Sequence, residues 1–253
     1  MPINTLQLLT SEHRTSRTNY QLGSYLAFIA GAINAGGFLA IGRYTSHMSG
    51  IISAIGDDLA LGNLITVLAG LALLASFIFG AATTAILVNW GQRRKIHSRY
   101  ALPLLLEAFV LLLFGIVGAN LSAYMQLTVP VIVFLLCYVM GLQNAIITKI
   151  SKAEIRTTHM TGIVTDIGIE LGKLFYWNRS EQGNEVHLVL YNKQKLKDYT
   201  LILSMFTAGG VIGAAAFKYV GFISVLPISV SLIGVALVQV YRDLKVLLPK
   251  FAR

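Results

Sequence analysis

Two histidines stand in nearly the same surroundings, Thr45-Ser46-His47-Met48-Ser49-Gly50 and Thr157-Thr158-His159-Met160-Thr161-Gly162. An imidazole titrates near neutral pH, so His47 and His159 are candidates for relaying a proton or holding a polar group of a solute. Neither has a second histidine or a cysteine three or four residues away, and the spacing gives no metal site. Ser49 and Thr161 can cap helices beginning near Gly50 and Gly162, their hydroxyls accepting from free first-turn amides. The positive end of such a helix, with the backbone amides of Gly50 and Gly162, suits an anion or a carboxylate. A polar turn at a membrane surface, with purely structural capping, accounts for the same residues equally well. Upstream, Asn34 in Gly31-Ala32-Ile33-Asn34-Ala35 and Asn144 in Gly141-Leu142-Gln143-Asn144-Ala145 would steady a helix break or line a site.

The acids supply candidates for proton or ion coupling. Asp57, Asp58, Asp166 and Glu170 follow the two motifs, and Asp58 and Glu170 occupy equivalent places. Glu107 lies inside an otherwise uncharged run, Leu102 to Val117, where an ionisable group is costly and by default marks a pathway, a proton site or a partner charge. Arg99 is only eight residues away, about 12 Å along a helix at 1.5 Å per residue, which also allows a place near the headgroups. The single cysteine, Cys137, sits in an apolar run and reads as packing. No nucleotide loop, nucleophile elbow or zinc-hydrolase pattern is present, so neither catalysis nor a cofactor is expected.

The elements that must position these residues are membrane helices. Only 12% of the chain is charged and the mean hydropathy is +0.69, against roughly 25% charged in a soluble domain. Six stretches are long enough to cross a hydrocarbon core: 22 to 42, 64 to 88, 101 to 118, 130 to 148, 200 to 217 and 221 to 241. With the N-terminus inside, eighteen of the 20 Lys and Arg fall in inner segments, leaving only Arg43 and Lys218 outside. This is the positive-inside distribution, and it places both termini in the cytoplasm. It also disposes of nucleic acid as an explanation for the net charge of +9, because the basic residues lie in short loops between spans.

The two motifs belong to a longer repeat. Gly56 falls on Gly168 and Leu59 on Leu171; later, Phe79-Gly80-Ala81-Ala82 falls on Ile212-Gly213-Ala214-Ala215, Leu102-Pro103 on Leu226-Pro227, and Glu107 on Ser231. Each copy holds three spans, an odd number, so the second enters the membrane from the opposite side. The expected fold is an all-α integral membrane protein of about six transmembrane helices, arranged as two inverted three-helix repeats with interrupted, glycine-rich first helices. The expected division is a cytoplasmic tail over 1–21, repeat 1 over 22–118, an external linker over 119–129, repeat 2 over 130–241 with a cytoplasmic polar loop at 176–199, and a cytoplasmic tail over 242–253. Inverted repeats recur in secondary transporters, whose sites lie between the repeats near the midplane.

Gly-x-x-Asn followed by Gly36-Gly37-Phe38-Leu39, Thr45 to Gly50, and Gly56-Asp57-Asp58-Leu59-Ala60 resembles the YoaK-like family of bacterial inner-membrane proteins over almost the whole chain. Ile51 stands where that family often has asparagine, and Asn34 where an acid is common. The resemblance implies a multi-pass protein of the bacterial inner membrane and supplies no substrate, the family being known as a domain of unknown function. Together these readings lead to the expectation of a transporter or facilitator for a small polar or anionic solute, with proton coupling open to its titratable groups. Asn34, His47, Ser49, Gly50, Asn144, His159, Thr161 and Gly162 are its expected solute-binding residues, and Asp58, Glu107, Asp166 and Glu170 its coupling residues. The expected partners are the lipid bilayer and the solute, with a homo-oligomer compatible. The alternatives are a non-transporting assembly protein and, more remotely, a lipid-modifying enzyme.

Overall fold

A computed structural model describes residues 16–42, 44–96, 98–119, 125–151, 155, 157–176 and 188–251. Arg43, Arg156 and most of the N-terminal tail lie outside the described residues, as do 120–124 of the expected linker and 177–187 of the expected polar loop. The described residues form helices and no strand: α1 (Ser16–Ile41), α2 (Met48–Ala60), α3 (Leu64–Arg93), α4 (Ala101–Ala119), α5 (Met125–Ile150), α6 (Met160–Phe175), α7 (Lys193–Val220), a 3-10 turn (Gly221–Ser224) and α8 (Val225–Phe251). Among the described residues, five stretches are long and apolar enough to cross a membrane. The fifth, Lys193–Val238, is 46 residues long and turns at Gly221, whose φ of +75° only glycine adopts at low cost. Leu64, Ile65, Leu68, Ile78, Phe79 and Ile86 are exposed along α3, an outward apolar face whose length suits a bilayer. The chain is a multi-pass α-helical membrane protein.

Two helix boundaries depart from expectation. The segment 193–199, expected in a loop, opens α7, because the Asn192 side chain accepts from the Lys195 amide at 3.0 Å and caps the first turn. The segment 242–251, expected as a tail, continues α8.

The glycine-rich helices are not interrupted: α1 runs unbroken through Gly31, Asn34, Gly36 and Gly37, and α5 through Gly141 and Asn144. Their glycines serve close approach instead. A Cβ on Gly31 would overlap the Phe206 carbonyl oxygen on α7 and lie 2.9 Å from the Gly210 nitrogen. A Cβ on Gly141 would likewise overlap the Phe77 carbonyl oxygen on α3 and lie 3.1 Å from the Ala81 nitrogen. Each first helix is thus clasped, backbone to backbone, by a helix from the other half of the chain, as small residues permit in a membrane.

The two clasps match contact for contact. Gly80 backs onto the Tyr138 carbonyl and Gly209 onto that of Phe28. One turn on, the Thr84 hydroxyl donates to the Leu142 carbonyl at 3.1 Å where Gly213 meets Ala32. Gly80 therefore plays the part of Gly209, one turn away from the Gly213 that letter-matching paired with it.

Between the clasps, α1 and α5 run antiparallel. Gln143 Nε2 donates to the Leu26 carbonyl at 2.7 Å, while Leu136 lies against Gly37. Together with α4 and α8 they enclose the core, including Leu22, Leu26, Ile33, Leu104, Phe114, Leu136, Met140 and Leu232.

Candidate functional site

The chain leaves α1 at Gly42, whose φ is +69°, and resumes helix at Met48. His47, and not Ser49, is the N-cap of α2, and His159, not Thr161, that of α6; neither side chain makes a capping hydrogen bond. Ser49 and Thr161 instead sit inside the first turn. The imidazole of His47 folds over that turn, with Nδ1 2.7 Å from where a Cβ on Gly50 would be, and His159 lies in the same way against Gly162. The His-x-x-Gly spacing thus has a packing cause: any side chain at Gly50 or Gly162 would displace the ring.

Asn34 and Asn144 tie the motifs down. Asn34 Oδ1 accepts from the Ser46 amide at 3.3 Å and its hydroxyl at 3.1 Å. Asn144 Oδ1 accepts from Thr158 Oγ1 at 2.9 Å and Thr157 Oγ1 at 3.4 Å, while its Nδ2 donates to the Met140 carbonyl at 2.8 Å. Thr45 and Thr157 are buried beneath, leaving both histidines exposed.

The two motifs do not meet. With Leu26 opposite Gln143 and Gly37 near Leu136, the end of α1 lies level with the start of α5, so the two C-terminal ends are roughly 30 Å apart at 1.5 Å per residue. His47 and His159 therefore border opposite ends of the bundle.

The acids divide into three environments. Asp58 lies at the C-terminal end of α2, accepting from Asn63 Nδ2 at 3.5 Å. Glu170 and Asp166 bind α6 to α7: Glu170 accepts the Asn192 amide at 2.7 Å and pairs with Lys173 at 2.9 Å, and Asp166 faces Lys195 Nζ at 3.4 Å. The Asn192 amide, then the Lys173 ammonium, hold the Glu170 carboxyl below its ordinary value despite its burial. A depressed folded pKa means that this latch contributes fully above the ordinary carboxylate range, about pH 4.3, and is lost as pH falls through the lower folded value. Hydrogen exchange at Asn192, corrected for intrinsic rates, is expected to accelerate below that range in the parent and to be fast already at pH 7 in Glu170→Gln. A protection profile flat with pH and identical in the variant would remove the latch.

Glu107 is the third case. It is wholly buried, and neither carboxylate oxygen has a hydrogen-bond partner. It lies three residues from the middle of the 19-residue α4, about 5 Å by helical rise, so a place among the headgroups does not fit. Tyr25 on α1 donates its hydroxyl hydrogen to Ser231 Oγ on α8 at 2.8 Å. Sequence reasoning found Glu107 and its counterpart Ser231 but missed Tyr25 and Gln143, whose Oε1 is also buried without a partner. Two turns along α4 from Glu107, Phe114 packs with Phe217 and Phe222, centroids 6.1 and 5.6 Å away. Among the described residues no cluster of His, Cys, Asp and Glu could hold a metal.

The comparisons with known proteins agree with the membrane architecture. A 156-residue stretch is 32% identical to the UPF0700 transmembrane protein YoaK of Bacillus subtilis (strain 168), covering 60% of this chain and 68% of that protein. No solved structure is significantly similar. Residues 22–238 match the family described as protein of unknown function (DUF1275), and the chain belongs to that family.

Proposed function

We propose that this protein is a proton-coupled carrier or facilitator of a small polar solute, built as two inverted repeats of three spans each in the bacterial inner membrane, with both termini cytoplasmic. The solute path runs between the repeats, past Glu107, and does not join the two histidine motifs. The observation that carries the reading is Glu107: an ionisable side chain at mid-depth, fully buried, with both oxygens unpartnered. A bare carboxylate in such surroundings costs several kcal/mol, so charge there must be matched by a proton or by a cation passing through.

Other features support it. The exchange of clasping helices between halves and the antiparallel course of α1 and α5 are what an inverted repeat produces, and counting α7 and α8 separately gives six spans. The Phe114, Phe217 and Phe222 cluster supplies an apolar closure on one side of Glu107, as alternating access requires. The His47 and His159 segments, one at each end, then serve as hinges between a spanning helix and a short one, and Asn34 and Asn144 steady them.

The test is flux into proteoliposomes holding a pH-sensitive dye, with small anions, cations and neutral metabolites presented in turn. A solute-driven proton signal, lost in Glu107→Gln but retained in His47→Ala, is the expected result. Silence across the panel with folded protein, or equal signals from parent and Glu107→Gln, would overturn the reading.

A further inference from the structure

Between α2 and α3 lies a half-open groove of about 200 Å³, walled by His47, Ile55, Asp58, Thr66, Gly70 and Leu73 among others. Its counterpart in the other half of the chain identifies what it would hold. The clasping contacts align α3 with α7 at a separation of 129 positions, Phe77 with Phe206 and Gly80 with Gly209. The histidine motifs align α2 with α6 at 112, His47 with His159. By that register the groove residues Ala54, Asp58, Thr66 and Gly70 correspond to Asp166, Glu170, Lys195 and Tyr199.

In the second half those residues meet one another. Lys195 Nζ stands 3.4 Å from Asp166 Oδ1 and 5.3 Å from the Tyr199 ring centroid, so a primary ammonium on an alkyl stem lies between the two helices with acids beside it. In the first half Thr66 is too short to do this and Gly70 has no side chain, a Cβ there lying 2.6 Å from Ile55. What remains is the groove and one half-buried acid, Asp58, which meets no cation among the described residues.

We propose that this groove binds a primary ammonium group on a short stem, with Asp58 as its counter-charge, Thr66 beside it and Ile51, Ile55 and Leu73 against the stem. It takes from outside what the second half supplies from its own chain. The site is independent of the transport reading, since it lies away from Glu107. The same chemistry is available from a free alkylamine and from an aminophospholipid headgroup, and lipid composition separates the two.

The experiment uses the full chain with 13C-labelled isoleucine δ1 methyls, in nanodiscs of phosphatidylglycerol alone or with phosphatidylethanolamine, titrated with n-butylammonium or n-butanol. In phosphatidylglycerol, the Ile51 and Ile55 methyls should shift saturably with butylammonium and much less with butanol. Asp58→Asn should weaken the response about fivefold, in keeping with a partly exposed ion pair worth about 1 kcal/mol. Thr66→Lys, at an exposed position, should mimic Lys195, moving the methyls in advance and abolishing the response. If phosphatidylethanolamine alone already produces the shifted spectrum, the headgroup is the source; if it leaves the butylammonium titration unchanged, the free amine is. Equal responses to butanol and butylammonium, unaltered titration in both variants, or no shift under any condition would each overturn the proposal.

Discussion

Gly31→Ala and Gly141→Ala are each expected to cost about 2–3 kcal/mol, the upper part of the range for overpacking a tightly built interior, and the valine substitutions to abolish folded protein. The cause lies in what each glycine faces. At Gly31 the added methyl would overlap the Phe206 carbonyl oxygen, and at Gly141 that of Phe77. Both obstacles are backbone, so no rotamer change relieves the clash; α1 must move from α7, or α5 from α3, along the whole clasp. Gly56 and Gly168 are the control. They correspond between the halves, lie inside α2 and α6, and have nothing within 4 Å of the place a Cβ would take. Alanine there should be neutral or stabilising by up to about 1 kcal/mol through helix propensity alone. Thermal unfolding midpoints in mild detergent should therefore fall sharply for the first pair and hold or rise for the second. Equal shifts in both pairs would mean that the clasps do not determine stability.

The same glycines show how far the sequence could be read. Membrane class, the approximate span limits and the paired histidine motifs were legible because they rest on local quantities: apolar run length and repeated short words. Glycine and asparagine in the first helices suggested a break, since glycine weakens an isolated helix. In the folded chain the clasping partner compensates, and that partner is distant in sequence, so α1 and α5 continue unbroken. Matching letters likewise paired Gly80 with Gly213, whereas the carbonyl each glycine faces pairs it with Gly209; small-residue patches repeat every turn, and only the opposing helix fixes which turn is in contact.

The candidate site was legible in part for a related reason. Glu107 stood out because a charge in an apolar run is visible in one dimension. Tyr25 and Gln143 are ordinary residues in their own helices and become notable only when α1, α4, α5 and α8 are brought together. The histidines are a different case: duplication suggested two halves of one site while an inverted arrangement left opposite faces open, and the antiparallel course of α1 and α5 sends the motifs to opposite ends. Their conspicuous glycine partners answer to the ring packed over the helix start.

Glu107→Leu should separate function from stability. If the carboxyl were structural, its removal would strand partners and destabilise the fold, but no partner is present: both oxygens are buried and unbonded. An unmet buried polar group carries a penalty of about 1–3 kcal/mol, and a side chain of similar volume without polar atoms removes it. The leucine variant is thus expected to unfold at the same or a higher temperature than the parent, with a gain of up to that amount. Solute-driven proton flux, by contrast, should fall at least about 100-fold, the scale on which loss of an essential proton-transfer group is felt. Glu107→Asp, one methylene shorter, should retain measurable flux, because the proton-carrying group survives and only its reach changes. A leucine variant that loses stability by about 2 kcal/mol or more would show that Glu107 has a structural partner after all. A stable leucine variant with undiminished flux would place the proton path elsewhere. Stability held with flux lost is the outcome that only a functional carboxyl, kept at a cost to the fold, explains.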